Sequence, residues 1–316
     1  MEISVNRNVH TVASDAFRIM DEAEAGLLRG EIDDALTNLT LGLKEVRDNA
    51  KPEVWRPFAS DQFSAHPLVS ILHQDPFTRH SFNKPRGYSG DADLIDYMYG
   101  ERKPGLDITQ LGLRIFDYTT NTPAPQSVRD RREIIAKMID ELSEKDSKLR
   151  VLSIACGHLR EAAISAAVAD GKVTDFFALD QDALSLEVVK RDYADLGIKT
   201  INSPIKKLFA NKPEFDGFDF AYAAGLYDYL PQPVAIRLTR IMFDMVKPGG
   251  KILAANFAPC LRDIAYLETF MQWNLIYRIE AEVSDFASGI DRSEIASQRI
   301  FRDKGKNVIY LEIIKK

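Results

Sequence analysis

Cysteine is scarce in this sequence. The 316 residues include two cysteines, Cys156 and Cys260, which lie far apart and form no CxxC pair. A disulfide framework or a zinc site would need more cysteines at close, regular spacing. We therefore expect neither, and we assign no metal ligands in this chain.

Long apolar runs are also lacking. No apolar stretch approaches the ~20 residues that a membrane-spanning helix needs. The first residues, 1–4, contain no basic segment followed by an apolar stretch of the kind that marks a secretory signal. These absences predict a soluble, cytoplasmic protein without a membrane span.

The chain has no excess of positive charge. Its net charge is −6, from 41 basic and 47 acidic residues that are mixed along the sequence. Proteins that bind nucleic acid concentrate lysine and arginine in a patch or stripe. We therefore expect a small-molecule substrate and no nucleic-acid partner.

The N-terminal region has helical patterning. Apolar residues recur at helical spacing over about the first fifty positions, and Gly30 interrupts them, which predicts a helical hairpin. Residues 51–90 contain five prolines and many aromatic residues, and they predict irregular chain that packs against a surface. A short helix is predicted over 92–99, and a further segment, 106–118, leads to the next proline-marked break.

A proline-marked break at Thr122–Pro125 precedes a change of pattern. We place a domain boundary there, with a mostly helical N-terminal region over 1–125 and a second domain over 126–316. Beyond the break, apolar strands alternate with amphipathic helices, which predicts an α/β domain with a mostly parallel sheet covered on both faces.

The predicted elements of the second domain follow a regular order. The predicted strands are 150–155, 175–179, 199–201, 218–223 and 251–257, and the predicted helices are 127–143, 160–169, 183–196, 233–245 and 261–271. Two last strands, 297–302 and 308–314, flank a turn at 304–307 and predict an antiparallel hairpin. The fold class is thus a Rossmann-like sheet with a C-terminal hairpin.

The segment VLSIACGHLREAAIS, from Val151 to Ser165, indicates a ligand site. Ligands of doubly wound sheets bind beyond the carboxyl ends of the strands. A pyrophosphate there needs several glycines, but this loop has Gly157 alone, with His158 and Arg160 close by. Asp180 ends the next strand, about twenty residues on, where an acidic residue accepts hydrogen bonds from ribose hydroxyls. S-adenosylmethionine, a cofactor with a ribose and no phosphate, suits this pattern.

Four segments resemble class I S-adenosylmethionine-dependent methyltransferases: VLSIACGHLRE, FFALDQD, FDFAYAAGLYDYL and VKPGGKILAANF. This resemblance covers about residues 127–316. More narrowly, KPRGYSGD at 84–91, the AAGLYDYL segment and Trp273 with Tyr277-Arg278 are similar to bacterial enzymes that make a hydroxypalmitate methyl ester signal. The sequence departs from the family pattern at Ser153, where an acidic residue is usual, and in the missing glycines.

The resemblance and the strand ends together indicate a set of site residues. Cofactor contacts are expected from two loops and one strand end, at Ala155, Cys156, Gly157, His158, Arg160, Asp180, Gln181, Ala224, Gly225 and Leu226. Tyr227 and Tyr229 are expected to flank the sulfonium through cation–π attraction. Arg86, Tyr88 and Arg278 are expected to hold an acceptor carboxylate.

Structural interpretations of the same residues stay open. Asp180 or Asp182 can cap the helix that starts near residue 183. Arg160 and Glu161 can form a pair under the cofactor, or an exposed helix ion pair of little energy. The tyrosines can be ordinary packing aromatics, and 84–91 can be a structural corner.

The expected reaction is methyl transfer to a small-molecule carboxylate, such as a hydroxy fatty acid, giving a methyl ester. The five histidines show no paired arrangement, and a carboxylate is already ionised near pH 7 and needs no general base. Methylation of a nitrogen, sulfur or hydroxyl acceptor, a nucleotide-dependent oxidoreductase, and a non-catalytic cofactor-binding partner remain alternatives. The N-terminal region can be a lid or a homodimer surface.

Overall fold

The computed structural model describes residues 9–146, 148–210 and 215–316. These residues form two compact units. The first contains the chain up to Val128 together with Cys260–Asn274, and the second contains Arg129–Pro259 and Leu275–Lys316.

The chain up to the first strand is helical. Its α-helices are α1 (Val9–Leu28), α2 (Ile32–Asp48), α3 (Pro52–Ser60), α4 (Leu68–Leu72), α5 (Pro76–Asn83), α6 (Ala92–Tyr99), α7 (Gln110–Thr119) and α8 (Pro123–Ser143). The predicted hairpin is confirmed as α1 and α2. Gly30 lies between them with a φ of +85°, a conformation that glycine adopts without steric cost.

The prediction of irregular chain over 51–90 is wrong, since α3, α4 and α5 occupy most of it. Pro52 and Pro76 stand in the first turns of α3 and α5, where a helix needs no N–H and the fixed φ of proline suits it. Asp75 caps α5 by accepting hydrogen bonds from the N–H groups of Phe77 and Thr78. Pro52 and Pro76 therefore mark helix starts.

Glu268 is a polar hub within the first unit. It lies in α13 (Ile264–Phe270) and is 9% exposed. Its Oε2 accepts hydrogen bonds from Trp55 Nε1 and Arg47 Nε, each at 2.7 Å, and its Oε1 accepts one from Arg47 at 2.9 Å. One carboxylate thereby joins α13 to α2 and α3. These hydrogen bonds are strong, because hydrogen bonds of charged groups are stronger than neutral ones.

A seven-stranded sheet forms the centre of the second unit, in the order β3-β2-β1-β4-β5-β7-β6. The strands are β1 (Leu149–Ile154), β2 (Val173–Asp180), β3 (Lys199–Asn202), β4 (Phe218–Ala223), β5 (Val246–Phe257), β6 (Ile295–Arg302) and β7 (Val308–Lys315). Strands β1 to β5 pair in parallel, and β7 pairs antiparallel with both β5 and β6. The predicted Rossmann-like sheet and its C-terminal hairpin are confirmed.

Helices connect the strands of the second unit. They are α9 (Ala166–Ala169), α10 (Ala183–Asp192), α11 (Lys206–Ala210), α12 (Gln232–Met245) and α14 (Glu280–Ser284). Strand β4 is buried along its whole length, and Phe218, Met242, Ile252 and Leu311 are at most 1% exposed. Burying each such side chain contributes about 1.5–3 kcal/mol. This core therefore stabilises the sheet and the positions of its strand ends.

The prediction of one helix over 160–169 is wrong. The structure has a 3-10 turn at Arg160–Ala163 and then the short α9. Ser165 interrupts the helix because its Oγ accepts from the Val168 N–H and donates to Asp140 Oδ1 at 2.6 Å. Asp140 also accepts from the Ala167 N–H at 2.8 Å, so side chains take the place of helical hydrogen bonds here.

None of the helices in the described part of the chain combines the length and the apolar character that crossing a bilayer would require.

We expect Glu268→Ala to lower the free energy of unfolding by about 3 kcal/mol, because Arg47 and Trp55 lose a buried acceptor. Glu268→Gln keeps one oxygen for Trp55 and should cost less. Denaturant titrations followed by tryptophan fluorescence would measure both. Glu45→Ala, an exposed change on α2, is the control, and a Glu268→Ala loss no larger than that of the control would contradict the role of the hub.

Candidate functional site

The loop after β1 holds three residues in the left-handed region. Ala155, Gly157 and Leu159 have φ values of +53°, +54° and +52°. For alanine and leucine this conformation costs about 1–2 kcal/mol each, and such residues cluster at functional sites. The loop is held by hydrogen bonds from the Cys156 N–H to Leu179 O and from the Leu159 N–H to Cys156 O, at 3.1 and 3.0 Å. Its shape marks it as the candidate site.

Asp180 ends β2 beside this loop. Its Oδ2 accepts the Gly157 N–H at 2.8 Å, and its Oδ1 accepts the Asp182 N–H at 2.9 Å. A carboxylate has about four acceptor positions, and these two hydrogen bonds do not fill them. The residue is 6% exposed, and burial raises the pKa of its carboxyl while backbone hydrogen bonds from Asp182, Gly157 and Gln181 oppose that rise. Gly157 and Asp180 thus lie close together, as their positions at the ends of neighbouring strands predicted.

The helix cap after β2 is Asp182. Its carboxylate accepts hydrogen bonds from the Leu184 N–H at 3.0 Å and the Ser185 hydroxyl at 2.8 Å. Capping therefore does not require Asp180. Gln181, between the two acids, is exposed, and its carbonyl accepts from Asn202 Nδ2 at 3.1 Å.

Cys156 and His158 are buried in the loop, at 8% and 4% exposure. Burial, with the nearby Asp180 charge, holds the pKa of the Cys156 thiol well above its usual range. A thiol in that state is a poor nucleophile. Any contribution of Cys156 to a ligand therefore comes from its backbone and its packing.

Arg160 and Glu161 have different partners, so the pair considered for them is not formed. Arg160 contacts Asp192 Oδ2 at 2.7 Å, and Glu161 Oε1 accepts from the Tyr222 hydroxyl at 2.5 Å. Both lie in a 3-10 turn, where successive side chains project about 120° apart. Arg160 is therefore directed to α10 and Glu161 to β4.

The segment Ala224–Leu226 follows β4, the other neighbour of β1. The Ala224 carbonyl accepts a hydrogen bond from Arg131 at 2.7 Å, and a Cβ at Gly225 would lie 3.6 Å from both terminal nitrogens of that guanidinium. Arg131 is 7% exposed. No sequence pattern singles out this arginine, because it is one of several charges on the helix α8.

Tyr227 must be removed from the candidate site. It is fully buried, and its hydroxyl lies 2.8 Å from Thr239 Oγ1 and 3.5 Å from Met242 Sδ, both on α12. Its ring packs against Phe286 at 4.9 Å. The alternative of a packing aromatic is therefore the observed one. Tyr229, two residues on, is 39% exposed and keeps an accessible ring.

Arg278 must also be removed as a ligand for an acceptor carboxylate. It is 2% exposed and donates to four protein acceptors. These are Gln232 Oε1 at 2.9 Å, Tyr227 O at 2.9 Å, Asn256 Oδ1 at 2.6 Å and the carbonyl of Leu230. The guanidinium has five N–H donors, so this clamp uses most of them to hold the chain after β4.

Asp228 supports the same segment from inside. Its Oδ1 accepts the Phe257 N–H at 2.7 Å, and its carbonyl accepts the Ile276 N–H at 2.7 Å. Burial raises the pKa of its carboxyl to about 6, against the opposing charges of Arg131 and Arg278. The backbone of the β4 loop is therefore fixed by buried groups.

Arg86 and Tyr88 lie in the first unit. Arg86 contacts Asp93 Oδ2 through Nε at 3.1 Å and through a terminal nitrogen at 2.8 Å. Asp93 is also 3.3 Å from Arg102. Tyr88 is half-buried. The Arg86 charge already has an acidic partner, and the predicted acceptor contacts of both residues stay predictions.

The rest of the KPRGYSGD segment makes structural contacts. Lys84 and Gly87 have φ values of +50° and +89°, and the Ser89 hydroxyl donates to Gln272 O at 2.7 Å. Asp91 caps α6 through the Leu94 N–H and lies 2.8 Å from His80 Nε2. These contacts favour the structural-corner interpretation of 84–91.

The sequence matches no protein-family model and no curated protein. Among solved structures, a possible exported protein from Bordetella parapertussis is 15% identical with a TM-score of 0.58, covering 100% of this chain and 99% of its own. At this identity the similarity shows a shared fold alone.

Two methyltransferase structures are more weakly similar. Magnesium protoporphyrin IX methyltransferase from Synechocystis with bound SAH is 11% identical, with a TM-score of 0.48, over 77% of this chain and 100% of its own. The S-adenosylmethionine-dependent methyltransferase SibL is 15% identical, with a TM-score of 0.48, over 94% and 96%. Similarities at this level carry no conclusion about the site.

We expect Arg278→Met to lower the free energy of unfolding by about 3–5 kcal/mol, because the buried carbonyls of Tyr227 and Leu230 lose their cationic donor. Arg278→Lys keeps the charge and should cost less. Arg191→Met, at an arginine whose side chain is 69% exposed, is the control and should change stability by less than about 1 kcal/mol. Denaturant titration would measure all three, and equal losses for Arg278→Met and the control would refute the clamp.

We expect the stability of Asp228→Asn to depend on pH differently from that of the wild type. Because the folded-state pKa of Asp228 is raised from 3.8 to about 6, the folded wild type binds an extra proton between those values. Its stability relative to the variant should therefore fall as the pH rises through that window and stay constant above it. Asp195→Asn, at an exposed acid, is the control, and a difference independent of pH would contradict the assignment.

Proposed function

We propose that this protein is an S-adenosylmethionine-dependent methyltransferase that acts on a small molecule. The observation that carries the proposal is the Asp180 carboxylate, fixed by the Gly157 and Asp182 N–H groups at the end of β2. Its remaining acceptor capacity suits the hydroxyls of a ribose. Weak fold similarity to S-adenosylmethionine-dependent enzymes agrees with this and adds no weight of its own.

The loop after β1 favours a cofactor without a pyrophosphate. Dinucleotide loops place several glycines where the phosphates approach the helix. Here His158 and Leu159 follow Gly157, and the next segment is a 3-10 turn of four residues, Arg160–Ala163. A phosphate-free adenosyl cofactor needs neither the glycines nor a long helix at that point.

The cofactor would supply an electrophilic methyl group, which passes to a lone pair of the acceptor while the sulfonium becomes a neutral thioether. Alignment of the reacting atoms contributes much of the rate in such a displacement. We assign the ribose to Asp180, and the adjoining contacts to the 155–158 loop and to Ala224–Leu226. The accessible ring of Tyr229 remains a candidate to flank the sulfonium.

A carboxylate is the acceptor that we favour, with a hydroxy fatty acid as the example that the sequence resemblance implies. Three histidines of the helical unit already have protein partners: His66 Nδ1 accepts the Leu68 N–H, His73 Nε2 contacts Phe270 O, and His80 Nε2 contacts Asp91. A carboxylate acceptor needs no general base. It is therefore compatible with histidines that already bond to protein groups. The cytoplasmic location, and the lid or dimer role of residues 1–125, stay predictions.

Asp180→Ala should weaken binding of S-adenosylmethionine and S-adenosylhomocysteine by about a hundredfold or more, since two hydrogen bonds to a charged acceptor are lost. Because the pKa of Asp180 is raised by burial, wild-type affinity should fall as the pH drops through that pKa, where the carboxyl gains a proton. Isothermal titration calorimetry at several pH values would measure both effects.

Asp182→Asn is the matched control, because asparagine caps a helix as well as aspartate does. It should bind both ligands nearly as the wild type does. Binding that survives Asp180→Ala unchanged would refute the assignment of the ribose to this carboxylate.

A further inference from the structure

A small cavity lies inside the first unit, among side chains of α2, α5, α7, α13 and the chain beside them. Part of its lining is apolar, and the rest carries oxygen atoms. The oxygen-bearing side chains are those of Thr40, Tyr118, Thr119, Thr122, Asp263 and Tyr266. About 10 Å³ of the cavity is open to the centre of a water-sized particle, which is about the room that a single particle of that size needs.

Asp263 is the charged group of this lining, and it is 2% exposed. Its Oδ2 accepts the Ala124 N–H at 2.7 Å, whereas its Oδ1 is buried and accepts no hydrogen bond from any residue that the structure describes. Arg262 Nε lies 3.7 Å from Oδ1 without donating to it, on a side chain that is 37% exposed and therefore screened by solvent. A buried carboxylate oxygen without a donor is costly, so Asp263 favours a further partner.

The threonine hydroxyls of the lining have already used their hydrogens. Each donates to a protein acceptor: Thr40 to Leu36 O at 2.8 Å, Thr119 to Asp75 Oδ2 at 2.8 Å, and Thr122 to Thr119 O at 3.0 Å. A hydroxyl has one hydrogen and two lone pairs. The three oxygens therefore offer only lone pairs to a further partner, and Thr122, which lies near Asp263, has no second hydrogen to give to it.

The hydrogen of Tyr266 is also used. Thr78 donates its own hydrogen to Asp75 Oδ2 at 2.6 Å. The 3.0 Å hydrogen bond between Thr78 Oγ1 and the Tyr266 hydroxyl must therefore be donated by Tyr266. Tyr118, with its hydroxyl 2.9 Å from Thr37 Oγ1, is the lining residue whose donor direction is open. Among the described residues, the polar lining thus offers lone pairs and at most one hydrogen.

A second buried acid, Asp75, bonds to the lining residue Thr119 and is 0% exposed. Its donors are neutral: the N–H groups of Phe77 and Thr78 and the hydroxyls of Thr78 and Thr119. No cation lies within 4.0 Å of it in the described part of the chain. Burial raises the pKa of Asp75 to about 6, so most of its carboxyl is ionised at pH 7. Buried charges are normally paired or coordinate a metal ion, so two acids here favour an added positive charge.

We propose that this cavity binds one monovalent cation of about the size of a water molecule, K⁺ or ammonium, with Asp263 Oδ1 and the hydroxyl oxygens of the lining as its ligands. Hard cations prefer oxygen ligands. A water molecule would donate to two of these oxygens and leave the negative charges uncompensated. A single positive charge suits one carboxylate ligand beside the Arg262 guanidinium. This site is independent of the proposed function, and no spacing pattern in the sequence indicates it, because its ligands come from residues 40, 119–122, 263 and 266.

Thermal unfolding in chloride salts of equal ionic strength tests the site, with choline as a cation too large to enter. We expect the Tm of the wild type in potassium or ammonium chloride to exceed that in choline chloride by about 2–4 °C when the salt is well above the dissociation constant. Asp263→Asn keeps an acceptor for the Ala124 N–H and removes the charge, so the difference should vanish. Asp107→Asn, an exposed change in the same unit, is the control and should keep the difference in full.

Thr40→Val provides a second variant in case Asp263→Asn does not fold. Valine keeps the shape of threonine and removes one ligand oxygen, so the difference in Tm between the salts should be smaller than in the wild type. Equal Tm values of the wild type in all the salts would overturn the site. A potassium effect that Asp263→Asn and Thr40→Val both keep in full would do the same, because the cation would then bind elsewhere.

A crystal soaked in a thallium(I) salt locates the cation directly, because Tl⁺ replaces K⁺ and scatters anomalously. We expect an anomalous peak in the cavity, within bonding distance of Asp263 Oδ1. A cavity that holds water alone in such a crystal would overturn the cation site.

Discussion

The hydrogen bond from the Gly157 N–H to Asp180, at 2.8 Å, is the contact on which the candidate site depends. It joins the loop after β1, in which Ala155, Gly157 and Leu159 have a left-handed backbone, to the end of β2. The same carboxylate accepts the Asp182 N–H. The strained loop and the buried acid thus lie side by side at the edge where doubly wound sheets bind ligands.

The segment after β4 depends on buried charges that form hydrogen bonds with other protein groups. Arg278 holds the carbonyls of Tyr227 and Leu230, and Asp228 holds the Phe257 N–H. These groups fix the segment after β4 from the core side, while Arg131 holds the Ala224 carbonyl. Positioning of a reacting methyl group needs such rigidity, since small displacements lower the rate of an aligned reaction.

The sheet, its hairpin and the approach of Gly157 to Asp180 were predictable, because alternating apolar strands and their carboxyl ends follow from local patterns. The directions of Tyr227 and Arg278 were not, since their partners come from α12 and from chain as far as 51 residues away. The bond between Glu161 and Tyr222 spans 61 residues. Pro52 and Pro76 led to the wrong prediction of irregular chain, because proline suits a helix start as well as irregular chain.

The central claim is that the site takes an adenosyl cofactor without a pyrophosphate. Parallel titrations of the wild-type protein with S-adenosylhomocysteine and with NAD would test it most directly, because both ligands carry an adenosine ribose and only NAD carries phosphates. We expect S-adenosylhomocysteine to bind with a measurable dissociation constant and NAD to give no saturable heat. Binding of NAD as tight as that of S-adenosylhomocysteine, or tighter, would contradict the account.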